Sequence, residues 1–406
     1  MRWRHLAWLL VLSGSCSQGT TECKKDSDCS DGFRCVAGVC YLRIDGGEPA
    51  GGDTDAGFDA GDPGMPQDDG ADPGPADEGG DPGGDPGEPW IIQPGVGVGP
   101  LKVSQGLSTT HKLSEIQIAL GESGNSTGVE YARAFRNDTL WVSGIETSGN
   151  KVFDSNDRVL TIMVRPGFNA RTAEWIAPGS SLAFVHGQPA YAVPDHSVVA
   201  EPYGSYPGGL MESYFRMGAF LGYDENQNLS AFTVTRAFQT PPTGTINPSA
   251  ATVAIGSTTI VCGDGTNSGT RRSVHRNLLG EPDAESTFTQ LVQGTSVQFY
   301  LDSYRVLGME FVGGDDVIGY TVVDKLVVLA LYPLFYGKTA AGHGLGSKKS
   351  EWEQELGAPV TQKNDPTWGT IFVYAAGSRY FAIMYTNQGA SPDDGAILLV
   401  LNYYLE

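Results

Sequence analysis

The chain has 406 residues, with 47 Asp and Glu against 26 Lys and Arg, so its net charge is −21. So acidic a molecule argues against nucleic acid as a partner, because that binding depends on cations neutralising phosphates. The length exceeds what one hydrophobic core comfortably serves, which points to several domains.

At the start, Arg2, Arg4 and His5 precede the apolar run Leu6 to Leu12 and then Ser13-Gly14-Ser15-Cys16. Basic, apolar and small-residue regions in that order read as a signal peptide over residues 1–15, too short to span a bilayer permanently. A cysteine directly after small residues resembles a bacterial lipoprotein signal. The resemblance implies that Cys16 carries lipid and becomes the mature N-terminus, anchoring the protein to a membrane. Ser17 stands where Asp would mark inner-membrane retention, so an outer-membrane or cell-surface address follows from the same resemblance. Ordinary signal cleavage, giving a periplasmic or secreted protein, is the alternative.

Residues 16–43 contain Cys23, Cys29, Cys35 and Cys40 among polar residues. So short a segment cannot bury a core, and four cysteines in an exported chain point to two disulfides. Three pairings are open. Zinc is the rival reading, but the spacing lacks close Cys-x-x-Cys pairs. The pattern resembles the Cys-rich module near the N-terminus of myxobacterial-type surface lipoproteins, which implies location more than activity.

Residues 44–97 are dominated by Gly, Asp, Pro, Ala and Glu, and residues 44–100 hold 14 acidic residues with no Lys or Arg. Such a stretch buries too little apolar surface to offset its chain entropy, so we expect a disordered, extended tether. The paired acids at Asp53, Asp55 and Asp59 lack the ligand pattern of a calcium loop.

The remainder divides at Pro241, Pro242 and Pro248 into lobes over 98–240 and 250–406. Leu113, Ile116 and Leu120 have helical spacing, as do Val274 with Leu278 and Trp352 with Leu356. Glycines follow at Gly121, Gly187, Gly280 and Gly357, as expected of helix ends. β-Branched and aromatic runs come after them: Thr139 to Val142, Val159 to Val164, Tyr214 to Tyr223, Arg305 to Phe311, Leu326 to Leu331, Tyr380 to Tyr385 and Ala396 to Leu401. These read as antiparallel strands. The expectation is an α+β fold: tandem, degenerate helix-plus-antiparallel-sheet units, two in each lobe, after the disordered acidic linker. The shared helix ends Leu279-Gly280-Glu281-Pro282 and Leu356-Gly357-Ala358-Pro359 resemble the SmpA and β-lactamase-inhibitor-protein type of repeat, which implies protein binding or envelope assembly.

No catalytic motif, metal-ligand spacing or cofactor loop stands out in the sequence. The histidines His5, His111, His186, His196, His275 and His343 are scattered, and Cys262 lies among apolar neighbours. The expected function is therefore a non-enzymatic binding or structural lipoprotein, meeting an envelope protein or an anionic polysaccharide. An envelope hydrolase using Asp315, Asp316 and His343 is the alternative. One repeated detail suggests an anion site: Thr110-His111-Lys112, Thr270-Arg271-Arg272 and Ser347-Lys348-Lys349 each open a helix with a hydroxyl and two basic residues. Cations there oppose the helix dipole, while free N–H groups beside cations suit an anion.

Overall fold

A computed structural model describes residues 33–36, 39–42, 88–127, 131–145, 153–199, 209–263, 269–292, 295–314, 325–365 and 369–403. Phe33–Val36 and Val39–Leu42 form an antiparallel hairpin in a unit of its own. The chain from Glu88 on forms the other unit.

Among its described residues that second unit is built mostly of strands, arranged as two eight-stranded and two four-stranded sheets. Its described helices are α1 (Leu113–Leu120), α2 (Leu182–His186), α3 (Arg272–Leu279) and α4 (Lys349–Leu356). The expected α+β fold of tandem helix-plus-sheet units is overturned. At 1.5 Å per residue, helices of eight residues or fewer run about 12 Å and cannot cover a sheet. The strands of neighbouring units also pair with each other. Arg158–Val164 bonds to Leu229–Val234, with Val164 opposite Phe232. Lys325–Leu331 bonds to Ala396–Tyr403, with Leu329 opposite Leu401. Two four-strand meanders thereby fuse into one sheet in each half.

The two halves share a topology. In the first, Asn125–Ser126, Ala132–Phe135, Leu140–Ile145 and Arg158–Val164 are followed across the sheet by Leu229–Val234, Ala219–Tyr223, Leu210–Tyr214 and His196–Val199. In the second, Ala284–Val292, Thr295–Tyr304, Met309–Gly314 and Lys325–Leu331 are followed by Ala396–Tyr403, Arg379–Tyr385, Gly369–Ala376 and Thr361–Asp365. Each half also has a small sheet that a distant short strand completes in parallel, Ala170–Arg171 on Trp90–Gln93 and Lys338–Thr339 on Gly244–Asn247.

Two boundaries read from composition move accordingly. Strand Trp90–Gln93 lies inside the stretch assigned to the tether, and Gly97–Val98 straddles its end. The proline-marked break holds strand Gly244–Asn247, and Ile246, Ala251 and Val253 are buried. One core runs through the junction, joining Ile145, Leu160, Phe215, Phe220 and Phe238 of the first half to Leu279, Trp352, Phe381 and Leu401 of the second. The second large sheet is apolar on both faces, with Leu329, Leu399 and Phe381 in that core and Val328, Val400 and Ala382 in another.

Polar groups are buried at the same junction. Arg236 Nη2 lies 2.9 Å from Asp283 Oδ1, both side chains almost wholly buried. Arg158 Nη1 donates to the Asp283 carbonyl at 2.8 Å. Tyr336 stacks on His196 with centroids 3.8 Å apart.

Candidate functional site

The repeated hydroxyl-and-basic helix starts prove to be joints of the fold. The residue before each helix forms an isolated backbone bridge with a residue at or just before the start of a large-sheet strand: Lys112 with Arg158, Ser181 with Asn228, Arg271 with Lys325 and Lys348 with Gly395. In α1 and α4 a glutamate closes the first turn from below. Lys112 N donates to Glu115 Oε1 at 3.2 Å, and Lys348 N donates to Glu351 Oε2 at 2.8 Å. An acid there complements the dipole that the preceding cation opposes.

Most of the proposed anion-binding side chains are already engaged. Thr270 Oγ1 accepts from Val261 N at 2.8 Å, and Ser347 Oγ accepts from Gly344 N at 3.0 Å. Lys348 Nζ donates to Asp393 at 2.8 Å. Lys349 Nζ donates to the Gly389 carbonyl at 2.9 Å and lies over the Phe372 ring. Arg272 and Arg276 both clamp Asp302, whose Oδ2 also meets His275 Nε2 at 2.9 Å. Burial alone would raise the Asp302 pKa, but its bonds to Arg276, Arg272 and His275 hold it far below the ordinary carboxylate range. Burial in turn lowers His275, which stacks 4.2 Å from Phe311. Of the six residues, Arg271 alone keeps an exposed side chain with no polar contact among the described residues. The two clusters sit on separate meanders of the second sheet, at Lys325 and Gly395, and do not converge.

Cys16, Cys23, Cys29, Asp315 and Asp316 lie outside the described residues. Cys35 and Cys40 stand opposite each other in the hairpin register. His343 Nδ1 is 2.6 Å from Glu355 Oε2, which also accepts from Thr339 Oγ1 at 2.8 Å. Cys262 is fully buried, and burial pushes its thiol up to about 12. A protonated, enclosed thiol is a core residue and a poor nucleophile.

A different constellation, missed in the sequence, gathers on the first half. Glu212 occupies a buried position in strand Leu210–Tyr214. Its carboxylate accepts from Tyr214 Oη at 2.9 Å, Tyr223 Oη at 3.3 Å and His186 Nε2 at 2.8 Å. Burial and the adjacent carboxylate raise both phenols, keeping them protonated as donors. Since a carboxylate only accepts, Nε2 of His186 carries the proton, and the ring is held at the surface at the end of α2.

The same segment carries three large apolar side chains into solvent: Trp175, Phe184 and Val193, at 65%, 42% and 81% exposure. Trp175 has φ 66°, in the left-handed region. For a bulky residue that costs of order 1–3 kcal/mol. A tight turn imposes it: Thr172 N bonds to Ile176 O at 2.8 Å and Trp175 N to Thr172 O at 3.1 Å. The Arg171 guanidinium lies 3.2 Å from the indole centroid. The legible signal is Glu212 within a strand that also carries Leu210, Met211 and Tyr214, since a carboxylate buried there needs partners.

No family model, curated protein or solved structure matches this chain.

Proposed function

We propose that this protein is a lipoprotein of the outer membrane or cell surface, anchored through Cys16, whose folded part is a non-enzymatic binding module. The partner meets it at residues 171–193. The observation that carries the reading is Trp175: an exposed indole, kept at a backbone angle that costs stability, beneath a stacked guanidinium. Strain retained in an exposed aromatic serves contact better than packing. His186, fixed by Glu212, and the exposed Phe184 extend the surface. Apolar and aromatic side chains favour an envelope protein as partner over an anionic polysaccharide, for which the helix-start cations are mostly engaged already.

The test uses the full chain on cells. Trp175→Gly removes the strain, so it is expected to raise the melting temperature while abolishing chemical cross-links from residues 171–193 to envelope components. A variant that keeps those cross-links, or that is destabilised, overturns the assignment. Cys16→Ala tests the anchor separately by moving the protein from the membrane to the soluble fraction. Retention in the membrane fraction would refute lipidation.

A further inference from the structure

We propose that strand Ala284–Val292 is a docking edge on which a second copy of this chain pairs antiparallel, joining two eight-stranded sheets into one. Every open sheet has two edges whose outer N–H and C=O groups lack ladder partners, and folds usually blunt them by shortness, charge or cover. Here the edges are unequal. In the first large sheet the edge strands Asn125–Ser126 and His196–Val199 have two and four residues. At the far edge of the second, Thr361–Asp365 has five residues and carries Lys363 and Asp365. Ala284–Val292 has nine, and among the described residues no strand pairs with its outer side.

Its composition suits pairing. The run Ala-Glu-Ser-Thr-Phe-Thr-Gln-Leu-Val has no proline and one charge, Glu285. That charge is already met by Arg272 Nη2 at 3.1 Å and Arg276 Nη2 at 2.6 Å. The strand pairs with Thr295–Tyr304 along its whole length, from Ala284 opposite Ser303 to Val292 opposite Thr295. Among the described residues, the next strand pairs with Thr295–Tyr304 from Tyr304 opposite Met309 to Phe299 opposite Gly314.

Antiparallel self-pairing about Phe288 sets Thr287 of one copy opposite Thr289 of the other. Glu285 falls opposite Leu291, so like charges do not meet. A second copy is thus the occupant that this edge fits without repulsion. Thr287 and Thr289 are exposed, so substitutions there leave the core untouched.

The experiment is sedimentation of the full chain at concentrations on the order of 0.1 mM, with circular dichroism to confirm folding. Wild type is expected to be dimeric. Thr287→Lys with Thr289→Lys places like charges in both cross-strand pairs and is expected to be monomeric. Thr287→Lys with Thr289→Glu places opposite charges there and is expected to dimerise at least as well as wild type. A monomeric wild type, a dimeric Lys/Lys variant, or a Lys/Glu variant as monomeric as Lys/Lys would each overturn the proposal. A monomeric wild type that instead takes up an extended peptide would reassign the edge to a different partner.

Discussion

Arg236 and Asp283 face each other at 2.9 Å where the two halves meet, without a well-aligned hydrogen bond between those atoms. Arg236 also lies over the Phe238 ring and Asp283 accepts from Val306 N, so the pair ties a strand end of one half to the start of the other half's sheet. Removing one partner leaves a buried charge uncompensated, a loss of about 3–5 kcal/mol. Asp283→Ala should therefore lower the unfolding free energy by that amount, measured by denaturant titration. Because the core is continuous across the junction, calorimetry should show one transition for both halves. Two resolved transitions would mean that the halves are energetically separate.

Stability should respond to pH through two buried carboxylates of opposite sign. Burial pushes Glu310 up to about 7, against the pull of Arg305, Ser303 and Tyr332. A carboxylate with a raised folded pKa binds more protons folded than unfolded, so stability falls as pH rises from about 4.5 to 7. Asp302 is depressed, so its contribution is present above its ordinary pKa and is lost as pH falls below it. Glu310→Gln should flatten the neutral limb and leave the acid limb in place. Denaturant midpoints between pH 3 and 8 would check this, and an unchanged neutral limb would refute the role of Glu310.

Gly280 and Gly357 end α3 and α4 at φ 82°, with ψ −165° and −174°. That region is essentially closed to other residues, and a Cβ at either position would meet nothing within 4 Å. Alanine there should cost about 1–3 kcal/mol from backbone strain alone, equally at both sites. Thermal melts of Gly280→Ala and Gly357→Ala measure it, and a neutral effect would mean that these turns relax.

Cys262 should resist thiol reagents in the folded protein and react fully once denatured. Native labelling at pH 8 would show that this part of the core opens.

Much of this fold was legible locally. Leu113, Ile116 and Leu120 all point inward from α1, and Trp352 is fully buried from α4. The apolar runs Leu326 to Leu331 and Ile397 to Leu401 are strands covered on both faces. What escaped depends on distant partners or single turns. Nothing near Val164 announces that it will lie opposite Phe232. Tyr214 to Tyr223 reads as one strand, yet Gly218, at φ 74°, turns the chain where a Cβ would collide with the backbone of Gly95 and Thr235. Arg305 to Phe311 is likewise divided, a 3-10 turn ending at Gly308 before the strand begins. The candidate surface was hidden for the same reason, since Glu212 recruits His186 from 26 residues away.

The small parallel sheets bear on the order in which the chain assembles. Trp90 waits for Ala170, and Thr245 for Lys338, so neither half can close until most of its length is available. Among the described residues, every strand pairing and isolated bridge of residues 90–236 lies within that span, and the same holds for residues 244–403. A chain delivered N-terminus first can finish its first half before the second has emerged. Docking across Arg236 and Asp283 then becomes the last event, paced by contacts far apart along the chain.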